Sequence, residues 1–478
     1  MFANFINRIR SCAYQLWRSR QSLCISIGVL SLIVLCILFG LIVSPVFFLI
    51  GPAIFCISAY VVRDVHFVGI LFFLMPFAMI FKYHPNYLSL FTLCEVMAVL
   101  ILFFQVKILS RRNFSFIATV GVYAIYLLIG VVRTHNFELD EYIKQIMNVL
   151  LLFYIISVTV DCEKKRDTLG AFYTGGILVS SVVGLFGERI PHFYEFVRKI
   201  GYNPQITNRF TGLNGDPNFY AINIILALLF LLMCYRKNKC NAFVFWGGFA
   251  VFSLFGMMTY SKSFLVMYAL FWGVLCWQSI CLRKKCDIIF CGTAVIAVVI
   301  LAIARGSYVN IILERLLGAS DASSLTTGRS DIWIPYFKAI FGSALTVLFG
   351  YGFGAPWMVV FGENGSAPHC MYIDLLYLLG VIGSVIIVAM YVNCIRCSSI
   401  SGAAKRNLCA FNFLGWAMLA LMCFFLSTFY SGEMVFQIYI AYSIFAADIS
   451  KLPESGLKNI GKRLGAKIQG LKCRLLKK

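Results

Sequence analysis

The sequence predicts an all-α polytopic membrane protein with about 12–14 transmembrane helices. Of its 478 residues, 61% are hydrophobic and only 13% are charged, which is too apolar for a water-soluble domain. The mean hydropathy is +0.86. Runs of about 20 apolar residues, the length that spans a bilayer as a helix, recur along the chain. We therefore expect lipid to cover most of the apolar surface.

Fourteen apolar segments are predicted to span the membrane. Because several of them are short, the expected number of transmembrane helices is about 12 to 14. They are residues 23–42, 44–62, 65–81, 87–108, 114–132, 145–160, 168–187, 219–235, 241–259, 264–282, 287–304, 371–394, 409–428 and 433–449.

The distribution of positive charge gives the orientation. When the N-terminus is placed inside, six clusters of Lys and Arg fall in cytoplasmic loops, as the positive-inside rule requires. Both termini are then cytoplasmic. The net charge of +21 follows this topology, so we expect no nucleic-acid partner. The clusters are Arg63, Lys107 with Arg111 and Arg112, Lys164–Arg166, Arg236 with Lys237 and Lys239, Arg283–Lys285, and Lys405 with Arg406.

Three regions are expected along the chain. Residues 1–22 form a basic amphipathic leader, residues 23–450 form a single transmembrane domain, and residues 451–478 form a basic amphipathic tail. In the tail, leucine and isoleucine recur at steps of three and four with lysines between them. Such helices lie on the anionic inner leaflet of a membrane.

Two predicted extracytoplasmic loops, at about 188–218 and about 305–369, are longer than most connections. Among their basic residues, Arg209, Arg305 and Arg329 suggest an anionic ligand, because a guanidinium group donates paired hydrogen bonds to phosphate at any relevant pH. The alternative is that long loops cross the membrane regardless of charge and that some arginines only snorkel. The two loops also carry Arg189, Arg198, Lys199, Arg315 and Lys338.

The first loop ends in the sequence Arg209-Phe-Thr-Gly-Leu-Asn-Gly-Asp-Pro-Asn218. Its two glycines permit tight turns. Asp216 followed by Pro217 predicts the N-cap and the first residue of a helix. A helix N-terminus favours an anion, which makes Asp216 and Asn218 candidate substrate-binding residues. For Asp216, a plain capping role is the alternative.

The second loop contributes Arg329 and a predicted membrane-surface helix. The helix is expected over Ile332–Leu348, with Trp333 near its start and Pro335 in its first turn. Arg329 precedes it in the sequence Thr326-Thr-Gly-Arg-Ser-Asp-Ile-Trp333.

His369 lies at the mouth of the apolar run that starts at Met371. A histidine at such a boundary can act as a general base, because its pKa is near neutral; a structural histidine is the alternative. Asp374 lies near membrane depth, where acids are costly and usually functional or paired, and it is a candidate to orient His369. Lys262 is a candidate third phosphate contact. Glu95 is a further intramembrane acid without a predicted partner.

No metal-ligand cluster and no nucleotide-binding loop is present in the sequence. We therefore expect no cofactor and no metal. Most of the 18 cysteines fall in apolar runs or predicted cytoplasmic turns, where they are expected to be reduced packing residues.

Taken together, these motifs resemble the O-antigen ligase and polymerase superfamily of bacterial polysaccharide assembly. The spacing from His369 to Gly380-Val-Ile-Gly383 is similar to the ligase signature, except that Cys370 replaces a polar residue. Ser261-Lys262 stands where relatives often carry Ser-Arg. The other motifs of the resemblance are Arg209…Gly212-Leu-Asn-Gly-Asp-Pro-Asn218, Thr327-Gly-Arg329…Trp333 and Leu348-Phe-Gly-Tyr-Gly352.

The resemblance implies a membrane glycosyltransferase of the GT-C-like helical architecture in the bacterial cytoplasmic membrane. Its donor would be a glycan on undecaprenyl diphosphate at the outer face, transferred with inversion and without metal. Arg209 and Arg329 would bind the diphosphate, and His369 would deprotonate the acceptor hydroxyl. We expect a polysaccharide polymerase that joins carrier-linked repeat units, with a chain-length regulator and a flippase of the same pathway as partners. The alternatives are a ligase that uses lipid A–core as acceptor and, in another class, a flippase for lipid-linked sugars.

Overall fold

All of the secondary structure in the described parts of the chain is helical. The computed structural model describes residues 2–62, 65–78, 80–81, 89–105, 111–134, 139–159, 162–191, 209–281, 287–288, 292, 329–352, 367–397, 414–426 and 433–446. The first ten helices are α1 (Phe2–Ile42), α2 (Phe47–Ser58), α3 (Val65–Leu74), α4 (Leu90–Gln105), α5 (Arg111–Thr134), α6 (Leu139–Thr159), α7 (Glu163–Leu185), α8 (Pro217–Arg236), α9 (Ala242–Met258) and α10 (Lys262–Cys281). They are followed by α11 (Arg329–Ile340), α12 (Ala344–Phe349), α13 (Met371–Cys397), α14 (Leu414–Met422) and α15 (Glu433–Phe445).

Five helices of the described residues are long and apolar enough to cross a membrane, so the chain is an all-α membrane protein. These candidate spans are Gln21–Ile42, Glu163–Leu185, Pro217–Arg236, Lys262–Ile280 and Met371–Asn393. Seven shorter apolar helices accompany them: Phe47–Ser58, Val65–Phe77, Leu90–Phe104, Ile117–Gly130, Ile143–Thr159, Ala242–Met258 and Glu433–Phe445.

The predicted spans and the observed helices differ near the N-terminus. Helix α1 runs without a break through residue 22, where the leader was expected to give way to the first span. The predicted span 44–62 contains only the 12 residues of α2, a helix of about 18 Å by its rise per residue. Helix α3 ends at Leu74 because a 3₁₀ turn with Pro76 follows it, and proline cannot continue the helical hydrogen bonds.

Helix α8 lies at the centre of the bundle. In its membrane-length segment, 78% of the residues are buried, and it packs against α7, α9, α10 and α15. At its C-terminal end, Arg236 forms a buried ion pair with Asp287 at 2.7 Å. Twenty helical residues rise about 30 Å, one hydrocarbon thickness. The two ends of α8 are therefore separated by the depth of a membrane.

Helix α13 is broken at Gly380, which has φ +62° and ψ −171°, a conformation open essentially to glycine alone. The break leaves carbonyl groups of α13 without helical donors, and the segment after α12 supplies donors for them. The Tyr351 amide donates to Tyr377 O at 2.7 Å, and the Gly352 amide donates to Leu378 O at 2.8 Å. Gly350 lies directly against Gly380, so that a Cβ on either residue would come within 2.5 Å of the other's backbone nitrogen. The two glycine motifs thus form one backbone-to-backbone junction.

The substitution Gly380→Ala is expected to lower stability by roughly 3 kcal/mol or more, because it combines backbone strain with a clash against backbone atoms. Thermal unfolding of the full chain in detergent would measure the loss. Gly121→Ala is the matched control, since a Cβ there meets nothing within 4 Å and alanine favours helix. Equal transition temperatures for Gly380→Ala and the wild type would contradict the junction.

The predicted surface helix over Ile332–Leu348 is wrong in its bounds. The structure has two helices there, and the second starts with a capping box in which the side chains of Ser343 and Thr346 each accept from the other's backbone amide. Helix α11 already begins at Arg329, so Pro335 lies inside it and not in its first turn. This places Arg329 on the first turn of a helix.

Candidate functional site

The site is built on the N-terminus of α8. Asp216 is its N-cap: the carboxylate Oδ1 accepts the backbone amides of Asn218 at 2.7 Å and Phe219 at 3.1 Å. Pro217 is the first helical residue, as predicted. Gly212 and Gly215 both have positive φ, +54° and +84°, which confirms the tight turns that lead into the helix.

Arg209 packs across this N-terminus. Its Nε donates to Thr259 O at 2.8 Å, and its Nη2 donates to Asn218 Oδ1 at 2.9 Å. The Ser261 hydroxyl donates to the same Asn218 oxygen at 2.9 Å. Asn218 therefore joins the first loop to the turn between α9 and α10. Lys262, the first residue of α10, follows Ser261 directly and belongs to this side of the site.

The second part of the site is formed by α11 and the turn before α13. The Trp333 indole Nε1 donates to Pro368 O at 2.7 Å, which ties α11 to the residue next to His369. Arg329 lies one helical turn before Trp333 and is partly buried. Its guanidinium carbon is 5.9 Å from the centroid of the Phe425 ring. The indole and the guanidinium group thus belong to one helix that is docked on the histidine turn.

His369 has a left-handed backbone with φ +48°, which is uncommon for a residue other than glycine and concentrates at functional sites. Its surface remains exposed to solvent. The protein packed around it and the positive charge of Arg329 lower the pKa of His369 below its ordinary value, while Asp216 acts in the opposite direction. The imidazole is therefore neutral at pH 7 and able to accept a proton.

Asp216 connects the two parts of the site. It acts electrostatically on His369 and on Arg329, and it caps the helix that carries Asn218. Because its Oδ1 already satisfies two amides at the start of α8, an anion would be held by the arginines and not by these amides. In the structure Asp216 is a helix cap and a negative charge that acts on the histidine, and its substrate-binding role stays a prediction.

The remaining predicted residues fall in different places. Asp374 is buried in the first turn of α13, where its charge acts on Tyr336 and Cys370. Since Arg329 and Asp216 are the charges that shift the pKa of His369, the acid suited to assist His369 is Asp216 and not Asp374. Arg305 lies outside the described residues.

Sequence reasoning missed Glu433, the first residue of α15. It is only 8% exposed, and the side chains of Asn214 and Asn223 donate to its carboxylate. It also acts electrostatically on Glu95, the intramembrane acid for which no partner was predicted. One sequence feature could have identified Glu433: it is an acid at the start of an apolar run, and such acids are usually paired or functional.

The variant Asp216→Asn is expected to lower the pKa of His369 further. Asparagine is an equally good N-cap, so the change removes the negative charge and keeps the helix start. An NMR titration of the histidine ring in the full chain, assigned by comparison with His369→Gln, would measure the shift. An unchanged or raised pKa would show that Asp216 does not act on the ring.

The assembled groups can bind an anion and accept a proton next to it. Among the described residues, no group of three or more His, Cys, Asp or Glu is placed to hold a metal ion. No protein-family model matches the chain, and no curated protein matches it at a significant level. Fold and site together define an all-α membrane protein with two arginines and a neutral histidine gathered around the start of its central helix.

Proposed function

We propose that this protein is a membrane glycosyltransferase that joins polyprenyl-diphosphate-linked oligosaccharide units into a polysaccharide. It acts at the outer face of a bacterial cytoplasmic membrane. The observation that carries the proposal is the gathering of Arg329, His369 and Arg209 around Asp216 and Asn218, although these residues come from separate segments of the chain.

The chemistry follows from the charges of these groups. The acceptor hydroxyl oxygen attacks the anomeric carbon of the donor sugar while the bond from that carbon to the diphosphate oxygen breaks. The hydroxyl proton passes to the neutral imidazole of His369, a general-base role that needs a pKa below the working pH. The lowered pKa of His369 meets this requirement.

The leaving diphosphate gains negative charge as the bond breaks. Arg209 and Arg329 would stabilise this charge, and fixed guanidinium groups bind it more strongly in the transition state than in the ground state. Arg209 is held by Thr259 O and Asn218, so its orientation is set before the substrate arrives. This preorganisation reduces the cost of reaching the transition state.

Electrophoresis of surface glycan from a strain that lacks this protein, with and without the gene restored, would test the proposal. A polymerase predicts loss of long polymer and a single-repeat product, with long polymer recovered on restoration. Long polymer that stays on its lipid carrier and never reaches lipid A–core would show a ligase. Units that accumulate on the cytoplasmic side would show a transporter, and an unchanged glycan profile would contradict all three.

A further inference from the structure

The buried carboxylate of Glu433 connects the membrane interior to the turn that precedes α8. Asn214 Nδ2 donates to Glu433 Oε1 at 2.7 Å, and Asn223 Nδ2 donates to Oε2 at 3.2 Å. Each carboxylate oxygen thus receives an amide N–H. Both oxygens are therefore occupied by donors from two segments, the turn before α8 and α8 itself, which makes Glu433 an attachment point between them.

The orientation of Asn223 is fixed by its other partners. Its Oδ1 accepts the Tyr173 hydroxyl at 2.9 Å and Gln437 Nε2 at 3.0 Å. The amide nitrogen must then face Glu433. Tyr173 is on α7, Asn223 is on α8 and Gln437 is on α15, so one buried network holds three helices in register and presents the Glu433 carboxylate to Asn214.

Asn214 lies in the turn between Gly212 and Gly215, whose glycines leave the backbone many alternative conformations. Side-chain anchors select one of them. The Leu213 amide donates to Ser180 Oγ on α7 at 3.0 Å, and Asn214 binds Glu433 on α15. Asp216 follows two residues later. The position of the α8 N-terminus therefore depends on an acid that lies more than 200 residues away in the sequence.

We propose that Glu433 is a positioning residue for diphosphate binding, which acts by holding Asn214 and so orienting the segment that carries Arg209, Asp216 and Asn218. This inference rests on the proposed function, because it assigns a diphosphate to that segment. Glu433 itself is buried behind the turn and is not assigned a contact with the substrate.

A reciprocal exchange provides the test. In Glu433→Gln, one of the two asparagine donors loses its acceptor. In Asn214→Asp, a carboxylate faces a carboxylate. In the double variant, the introduced amide donates to the introduced carboxylate and its oxygen still accepts from Asn223, so both hydrogen bonds are restored. Binding of undecaprenyl diphosphate to each full-length variant in lipid nanodiscs would be measured, with undecaprenyl monophosphate as the reference ligand.

Each single variant is expected to raise the Kd for undecaprenyl diphosphate by about tenfold, the effect of leaving a buried hydrogen-bonding group without its partner. The double variant is expected to return to within about threefold of the wild type, since both hydrogen bonds are re-formed. Asn393→Asp is the matched control for Asn214→Asp. It changes an asparagine on α13 whose side chain donates to Thr119 Oγ1 on α5 at 2.9 Å and does not hold the turn, and its Kd is expected to equal that of the wild type.

The outcomes separate the two hypotheses. If the wild type binds the diphosphate no better than the monophosphate, both the proposed function and this inference fail. If the wild type is selective and Arg329→Gln loses binding, but the Glu433 and Asn214 single variants bind like the wild type, only the positioning role fails. Single variants with lower thermal stability and unchanged Kd would also overturn it. If Glu433→Gln does not fold, Asn214→Ala replaces it as the test variant, because it removes the hydrogen bond from the side of the turn and leaves Glu433 in place.

Discussion

On the proposed function, His369→Ala is expected to abolish glycan chain growth while the protein still inserts and binds undecaprenyl diphosphate. Loss of a general base lowers a rate by about 10²–10⁴. Among the described residues, no other histidine lies beside Arg329 to replace it. Binding should survive because the arginines, and not the histidine, are assigned to the diphosphate. Turnover of carrier-linked units in membranes, together with a direct Kd, separates the two effects.

The matched control for this prediction is His66→Ala. His66 is a histidine in α3 that packs edge-on against Phe172, with 6.4 Å between ring centroids, away from the start of α8. Chain growth should continue in this variant. Normal growth in His369→Ala would contradict the catalytic assignment, and loss of growth in both variants would point to a general requirement for packing.

Arg329→Gln is expected to lower the rate of glycosyl transfer by about 10²–10³, by analogy with the removal of one oxyanion donor. Arg329→Lys keeps the charge but loses the planar fork that pairs with phosphate oxygens, so an intermediate rate is expected. The measurement is the rate at saturating donor, because a charge that acts mainly in the transition state changes kcat more than KM.

Lys338→Gln controls for the loss of one positive charge. Lys338 is on the same helix, α11, but is exposed near its other end. Its removal should leave the rate near that of the wild type, since exposed charges are screened by solvent and salt. Equal rate losses in Arg329→Gln and Lys338→Gln would indicate a nonspecific effect of net charge and would contradict a specific contact.

Local features of the site could be predicted from the sequence alone. The capped start of α8 follows from Asp216 and Pro217, because capping depends on side chains within one helical turn. The tight turns at Gly212 and Gly215 were predicted for the same reason, and both glycines have the positive φ that glycine adopts without strain. The helical class follows from composition, because a chain this apolar satisfies its backbone groups in lipid within helices.

Helix lengths and bounds were predicted less well. Apolar runs gave fourteen predicted spans, whereas five long candidate spans and seven shorter apolar helices are present within the described ranges. Hydropathy records composition over a window, but a helix ends where its backbone hydrogen bonds end, as at Pro76 after α3. Pro335 shows the opposite case, since α11 begins six residues before it and accommodates it.

Only the tertiary structure decided which residues act together. The sequence suggested Asp374 as the acid beside His369 because of their proximity in the chain. The fold instead places Asp216 where its charge acts on the histidine and brings Glu433 to Asn214, across separations of 153 and 219 residues. Composition, caps and turn glycines are local properties and were available from the sequence. The pairing of charges depends on how helices pack, and no local pattern in a single sequence specifies that packing.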